Sequence, residues 1–139
     1  MTVARSTAVM LGTAAIAAAL GFEWFQARSC FLIAPASAWV ALLPAAFALL
    51  PALFWLASPR PLNALGAVAF ISPLLALAYH AGCVSPPAGT SPAMVYAVLV
   101  VYGMHLGIAG ALIAGVLLRL LGIAVAARPQ RTVAGGMTP

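Results

Sequence analysis

The sequence predicts an all-α integral membrane protein with four transmembrane helices and with its N and C termini in the cytoplasm. Apolar residues make up 65% of the 139 residues and charged residues 5%, whereas soluble domains contain roughly 45–50% and about 25%. Several apolar segments approach the roughly 20 residues that a spanning helix needs. The arginines also fall mainly on one side of the topology that these segments imply. So few polar residues cannot cover the surface of a soluble domain.

The apolar segments are separated by proline-containing breakers and give a single transmembrane domain at residues 1–127. SPRPLN follows the second segment and CVSPPAGTSP follows the third, as expected for loops. Four spans are predicted, at about residues 7–25, 39–57, 64–82 and 94–118. The tail RPQRTVAGGMTP, residues 128–139, is predicted to be disordered and cytoplasmic.

Arginine positions predict the orientation of the four spans. All six cationic side chains are arginines, and an even number of spans places both termini on one side of the membrane. Only Arg28 then falls on the opposite side. Because basic residues favour cytoplasmic loops, the richer side is assigned to the cytoplasm. That side carries Arg5, Arg60, Arg119, Arg128 and Arg131.

The composition further points to the inner membrane of a bacterium. Abundant alanine, together with arginine in place of lysine, is typical of a high-GC bacterial sequence. A nucleic-acid partner is not predicted, because that function needs a basic patch or stripe. A cleaved signal peptide is an alternative for the first segment, since ASA at 36–38 resembles a cleavage site. The polar stretch EWFQARSC before that site favours a retained span.

Two cysteines are predicted to lie on the outer side of the membrane. Cys30 follows the first span and Cys83 follows the third. An exported compartment permits disulfides, so a Cys30–Cys83 bridge joining the two outer loops is predicted. Two independent thiols are the alternative. A redox enzyme is not favoured, because such enzymes use a C-x-x-C pair.

The fourth span carries small residues at intervals of four. Small residues let helix backbones approach closely in lipid, so this ridge predicts tight helix packing. The packing is either within this bundle or against another subunit. The ridge consists of Gly103, Gly107, Ala111 and Gly115.

Three ionisable side chains are the candidate functional residues: Glu23, His80 and His105. Ionisable groups inside a bilayer are costly and therefore functional hypotheses by default. Glu23 and His80 lie near the outer ends of their spans, where an outer-surface polar cluster with Arg28 is predicted. His105 lies roughly 15 Å into the fourth span, on the side opposite the glycine ridge.

Several interpretations of these residues remain open. His80 and His105 are candidates for bis-histidine ligation of haem b, although they differ in depth by roughly 10 Å. Glu23, His80 and His105 together are candidates for a zinc or copper site, although their spacing matches no known ligand pattern. Alternatively each satisfies a local need, with His80 bonding Glu23 and His105 bonding a helix carbonyl or a partner chain.

Taken together, these features predict a non-catalytic accessory or assembly subunit of a larger membrane complex, with no cofactor. The partner is a membrane protein or a second copy of the chain. The first alternative is a small proton-coupled transporter that uses Glu23 and His105. A glutamate in the first helix resembles small four-helix drug exporters, although no other motif of that family is visible. The second alternative is an electron-transfer protein that binds haem b or a metal.

Overall fold

The computed structural model describes residues 1–30, 38–84 and 92–126, and this part of the chain is almost entirely helical. Two very short strands flank the helices: β1 (Thr2–Val3) and β2 (Ala124–Val125). A π-helical turn, His80–Val84, extends the fourth helix. The α-helices are α1 (Arg5–Cys30), α2 (Ala38–Ala48), α3 (Leu50–Ala57), α4 (Asn63–Tyr79) and α5 (Pro92–Leu120). The tail predicted to be disordered lies outside the described residues.

Two helices are long and apolar enough to cross a membrane. They contain the segments Arg5–Gln26 and Ala97–Leu120, of 22 and 24 residues. Within the most apolar 18-residue stretch of each helix, only 28% is buried. Most of the apolar surface of these two helices therefore faces outwards. A helix at the core of a soluble protein would instead be largely buried. The apolar helix α4 has 17 residues.

The segment predicted as the second span, residues 39–57, is two helices with a break at Leu49. Pro51 stands in the first turn of α3 and has no N–H to donate to a preceding carbonyl. On either side of the break, Leu49 donates its N–H to Ala45 and Leu53 donates to Leu49, at 3.0 and 3.2 Å. The helical path therefore continues across the break, although Pro51 cannot donate to a carbonyl of the preceding turn.

The core is built mainly from small and aliphatic side chains on facing helices. Alanines allow close approach of α2, α4 and α5, and leucine and isoleucine fill the remaining space. Large apolar side chains cover the outside, which is the distribution expected of a bundle surrounded by lipid. The largest fully buried aliphatic side chains are Leu49, Ile71, Leu75 and Leu99.

The start of α1 and the end of α5 lie at the same end of the molecule. β1 pairs in parallel with β2, with Thr2 opposite Ala124, and the Met1 amine donates to the carbonyl of Gly122 at 2.9 Å. The Arg5 guanidinium donates to the carbonyl of Ser58, at 3.2 Å, in the connection between α3 and α4. We call this end, which carries Arg5, Arg60 and Arg119, the arginine end.

Candidate functional site

Glu23, the only acidic side chain of the protein, is 0% exposed. It lies on the face of α1 that also buries Ile16 and Ala19, at the i, i+3, i+7 spacing of one helix stripe. This finding corrects its predicted place in an outer-surface cluster. Because α1 continues to Cys30, Glu23 lies well inside the helix and faces the bundle. It is roughly 27 Å along α1 from Arg5.

Gln26 lies one helical turn beyond Glu23, on the same side of α1. Its Oε1 atom is buried and has no hydrogen-bond partner in the described part of the chain. Glu23 and Gln26 therefore form a polar patch at the inward-facing side of α1, at the end opposite the arginine end.

His80 is exposed at the beginning of the π-helical turn. Its backbone N–H donates to the carbonyls of Ala76 and Leu77, which continues the hydrogen bonding of α4. The imidazole itself lies at a helix end on the outside of the bundle, which is close to the position that the sequence predicts.

His105 lies near the middle of α5 and on its outer face. The helix extends roughly 20 Å on either side of it, and its side chain is exposed. Nδ1 lies 2.7 Å from the carbonyl oxygen of Val101. Because a carbonyl can only accept, Nδ1 is the donor, and a neutral ring then leaves Nε2 as an acceptor.

The structure does not gather Glu23, His80 and His105 into a metal site. No group of three or more histidine, cysteine, aspartate or glutamate side chains with metal-binding geometry occurs among residues 1–30, 38–84 and 92–126. A buried carboxylate and two exposed imidazoles do not form one ligand set. Neither histidine lines the cavity at the arginine end or the apolar groove beside Phe54.

Cys30 and Cys83 lie at the end opposite the arginine end. Cys30 is the last residue of α1, and Cys83 lies within the π-helical turn. Cys83 is not a free thiol.

The small residues of α5 face other helices of the same bundle. A Cβ atom added at Gly103 would lie 2.6 Å from Ala48 Cβ, and one at Gly107 would lie 2.8 Å from Ile71 Cδ1. At Gly115 the added atom would meet Asn63 Nδ2 at 2.8 Å, and Ala111 is fully buried. The ridge is thus occupied by internal packing.

A cavity at the arginine end is the feature that sequence reasoning missed. It has a volume of about 550 Å³ and is lined by Arg5, Arg60, Arg119 and Asn63, with apolar side chains between them. The arginines were read only as markers of orientation. Their convergence depends on three separate chain segments meeting at one end, which no local pattern in the sequence encodes.

Comparisons with protein-family models, with curated proteins and with solved structures gave no match to this chain. Three places carry polar chemistry: the outward-facing His105, the buried Glu23 and the arginine-lined cavity.

Proposed function

We propose that the protein is a non-catalytic accessory or assembly subunit that binds another membrane protein through the His105 side of α5. The observation that carries the proposal is the outward position of His105, midway along an apolar helix long enough to cross a bilayer. Ionisable side chains in spanning helices almost always face a bundle interior or a water-filled cavity, so an outward-facing imidazole at this depth favours a surface that a partner protein covers.

The hydrogen bond to Val101 satisfies only one of the two ring nitrogens of His105. A lipid environment offers no partner to Nε2 at this depth, and an unsatisfied polar group in hydrocarbon is unfavourable. A helix from a partner protein can supply the missing group. The partner is expected to place a hydroxyl, amide or indole donor opposite Nε2, because the acceptor role follows from the hydrogen bond made by Nδ1.

The surface around His105 suits a helix–helix contact. We define the His105 face by Val98, Val101, Tyr102, His105 and Leu112, which lie within one stripe of α5 at i, i+3 and i+4 spacing. All five side chains are exposed. Apolar residues provide the contact area and His105 provides the polar group that fixes the register. Internal packing occupies the opposite side of the helix at Gly103 and Gly107.

Purification in a mild detergent tests this function. The wild-type chain is expected to co-purify with one membrane protein at fixed stoichiometry. His105→Leu should weaken the binding of that protein about 5- to 30-fold, since a hydrogen bond in lipid contributes about 1–2 kcal/mol. Leu117→Met, which changes an exposed apolar residue on another side of α5, is the matched control and should retain the partner. A wild-type chain that runs as a monomer or homodimer without a partner contradicts the proposal.

We also propose that the chain crosses a bacterial inner membrane four times with its arginine end in the cytoplasm. α1 and α5 supply two crossings. The kinked pair α2–α3 supplies a third, and α4 with its π-helical extension supplies the fourth. Two observations support this arrangement: the pairing of β1 with β2 at one end and the positive-inside distribution of arginine.

A disulfide between Cys30 and Cys83 is proposed at the outer end. Its support is that both residues lie at the ends of helices remote from the arginine end, and that Cys83 is not a free thiol. The bridge would join the end of α1 to the end of α4, where an oxidising outer compartment would preserve it.

A second candidate function is proton-coupled transport through Glu23. The observation that favours it is the complete burial of this carboxylate beside the buried Oε1 of Gln26, since buried ionisable residues in membrane helices often relay protons. Proteoliposomes with an imposed pH gradient and ethidium as the transported probe test it. Glu23→Gln should abolish ethidium flux and Arg28→Gln should leave it unchanged. Equal flux in wild type and Glu23→Gln rejects this candidate.

A further inference from the structure

Three arginines gather around the cavity at the arginine end, and no side-chain carboxylate of the described residues lines it. Arg5, Arg60 and Arg119 line it, and the only side-chain carboxylate of the protein is Glu23, roughly 27 Å away along α1. Like charges around one cavity repel one another, more strongly where protein and lipid lower the effective dielectric constant. An anion within the cavity would remove this repulsion and accept hydrogen bonds from the guanidinium groups.

The cavity also contains a buried polar side chain and a helix N-terminus. Asn63 is 3% exposed and forms part of the wall, where its amide can donate to an anion. Asn63 is also the first residue of the 17-residue helix α4, so the positive end of the helix dipole points towards the cavity. Three guanidinium groups, an amide and this dipole all favour a negatively charged group at the same place.

The remaining walls identify the kind of anion. Leu62, Leu118, Ile123 and Val125 line the same cavity, so a ligand would have a charged part and an apolar part. A volume of about 550 Å³ lies within the range of small-molecule sites, about 300–1,000 Å³. Arg5 and Arg119 stand at the ends of the two helices that can cross the bilayer, which places the cavity at the level of lipid headgroups.

We propose that this cavity binds the phosphate group of an anionic membrane lipid, with the lipid's glycerol and upper acyl chain against the apolar walls. Guanidinium groups bind phosphate through paired hydrogen bonds, and basic pockets between spanning helices on the cytoplasmic side suit anionic headgroups. Arg119 lies roughly 21 Å along α5 from His105, so the proposal stands whether or not a partner protein binds at His105. Free inorganic phosphate shares the same chemistry and is distinguished by experiment.

Native mass spectrometry of the full chain in a neutral detergent tests the proposal, with phosphatidylglycerol as the probe. Wild type should retain phosphatidylglycerol in preference to phosphatidylcholine. Arg60→Gln with Arg119→Gln should weaken phosphatidylglycerol binding about 25-fold, since each basic group near an anionic headgroup contributes about fivefold. Both arginines are exposed, so the substitutions leave the core intact. Arg28→Gln, at the opposite end of α1, is the matched control and should bind like wild type.

Three results overturn the proposal. The first is equal phosphatidylglycerol binding by wild type and the double variant. The second is the same loss of binding in Arg28→Gln, which would indicate a general effect of net charge. The third is binding of inorganic phosphate at least as tight as that of phosphatidylglycerol, which would show that the apolar part of the lipid adds nothing and would assign the cavity to a soluble anion. If the double variant aggregates, the single variant Arg60→Gln decides the question through its expected fivefold loss.

Discussion

At the scale of single residues, Gly66 shows how closely α4 and α5 approach. A Cβ atom at this position would overlap the carbonyl oxygen of Gly110 and the Cβ atom of Ala114 on the facing helix. Backbone atoms cannot be displaced without separating the helices. The end of a flexible side chain, in contrast, can move aside while the helices stay in place. The absence of a side chain at Gly66 is therefore a packing requirement.

Gly66→Ala should lower the free energy of unfolding by about 1–3 kcal/mol, the usual effect of inserting an atom into a close-packed contact. Gly21→Ala is the matched control, because a Cβ atom there meets nothing within 4 Å. Alanine is the better helix former, so this change should stabilise the protein by about 0.5–1 kcal/mol. Unfolding in a titration from mild detergent to sodium dodecyl sulfate measures both. Equal effects from the two substitutions would contradict the close approach of α4 and α5.

The sequence predicted the direction in which His105 faces, but not the direction in which Glu23 faces. Glu23 was expected at the surface because it lies near the end of an apolar run, yet its side of α1 packs into the bundle and buries it. His105 was expected opposite the glycine ridge, and the structure places the ridge inward and the imidazole outward. Periodicity within a helix is readable from sequence. Which stripe meets a neighbouring helix depends on all the other helices.

At the scale of elements, the ends of α1 and α4 provide a test of the proposed disulfide. An intramolecular bridge should make wild type migrate faster on a non-reducing gel than after reduction, and Cys30→Ser and Cys83→Ser should each remove the difference. Closing a loop of this length should stabilise the fold by about 4 kcal/mol through the entropy of the unfolded chain. Thiol labelling of the denatured wild type supplies the control. Two reactive thiols, or a shift that only one serine variant removes, would contradict the bridge.

The helix boundaries show where sequence patterns succeed and where they end. The proline-rich connection SPRPLN separates α3 from α4 as its composition predicts. A proline such as Pro51 predicts an interruption of the second span, and in the structure it stands in the first turn of α3, just after the break at Leu49. Packing against Gly107, which contacts Pro51, lies outside any local pattern. The third predicted span also ends differently, since a π-helical turn replaces the last α-helical turns.

At the scale of the whole molecule, charge and shape divide the protein into two unlike ends. The arginine end carries three guanidinium groups around a cavity and is closed by the pairing of β1 with β2. The opposite end carries the chain's only acidic side chain in a buried position, together with the two cysteines. A membrane with a negative cytoplasmic leaflet favours the arginine end on the cytoplasmic side. The same arginines then orient the protein and provide the proposed lipid site.

Labelling from one side of the membrane tests this orientation. Ser29→Cys and Pro59→Cys place single exposed thiols at the two ends of the molecule, in a background with Cys30→Ser and Cys83→Ser. A membrane-impermeant maleimide added to intact spheroplasts should label Ser29→Cys, and should label Pro59→Cys only after permeabilisation. Thr2→Cys should behave like Pro59→Cys, because β1 and the α3–α4 connection lie at the same end, where Arg5 contacts Ser58.

Labelling of Thr2→Cys and Pro59→Cys from opposite sides would require an odd number of crossings between them, and would contradict the bundle itself. If Thr2→Cys and Pro59→Cys were labelled in intact spheroplasts and Ser29→Cys only after permeabilisation, the result would still agree with the fold. It would show that the arginine distribution does not set the orientation, and the cavity would then face the outer leaflet.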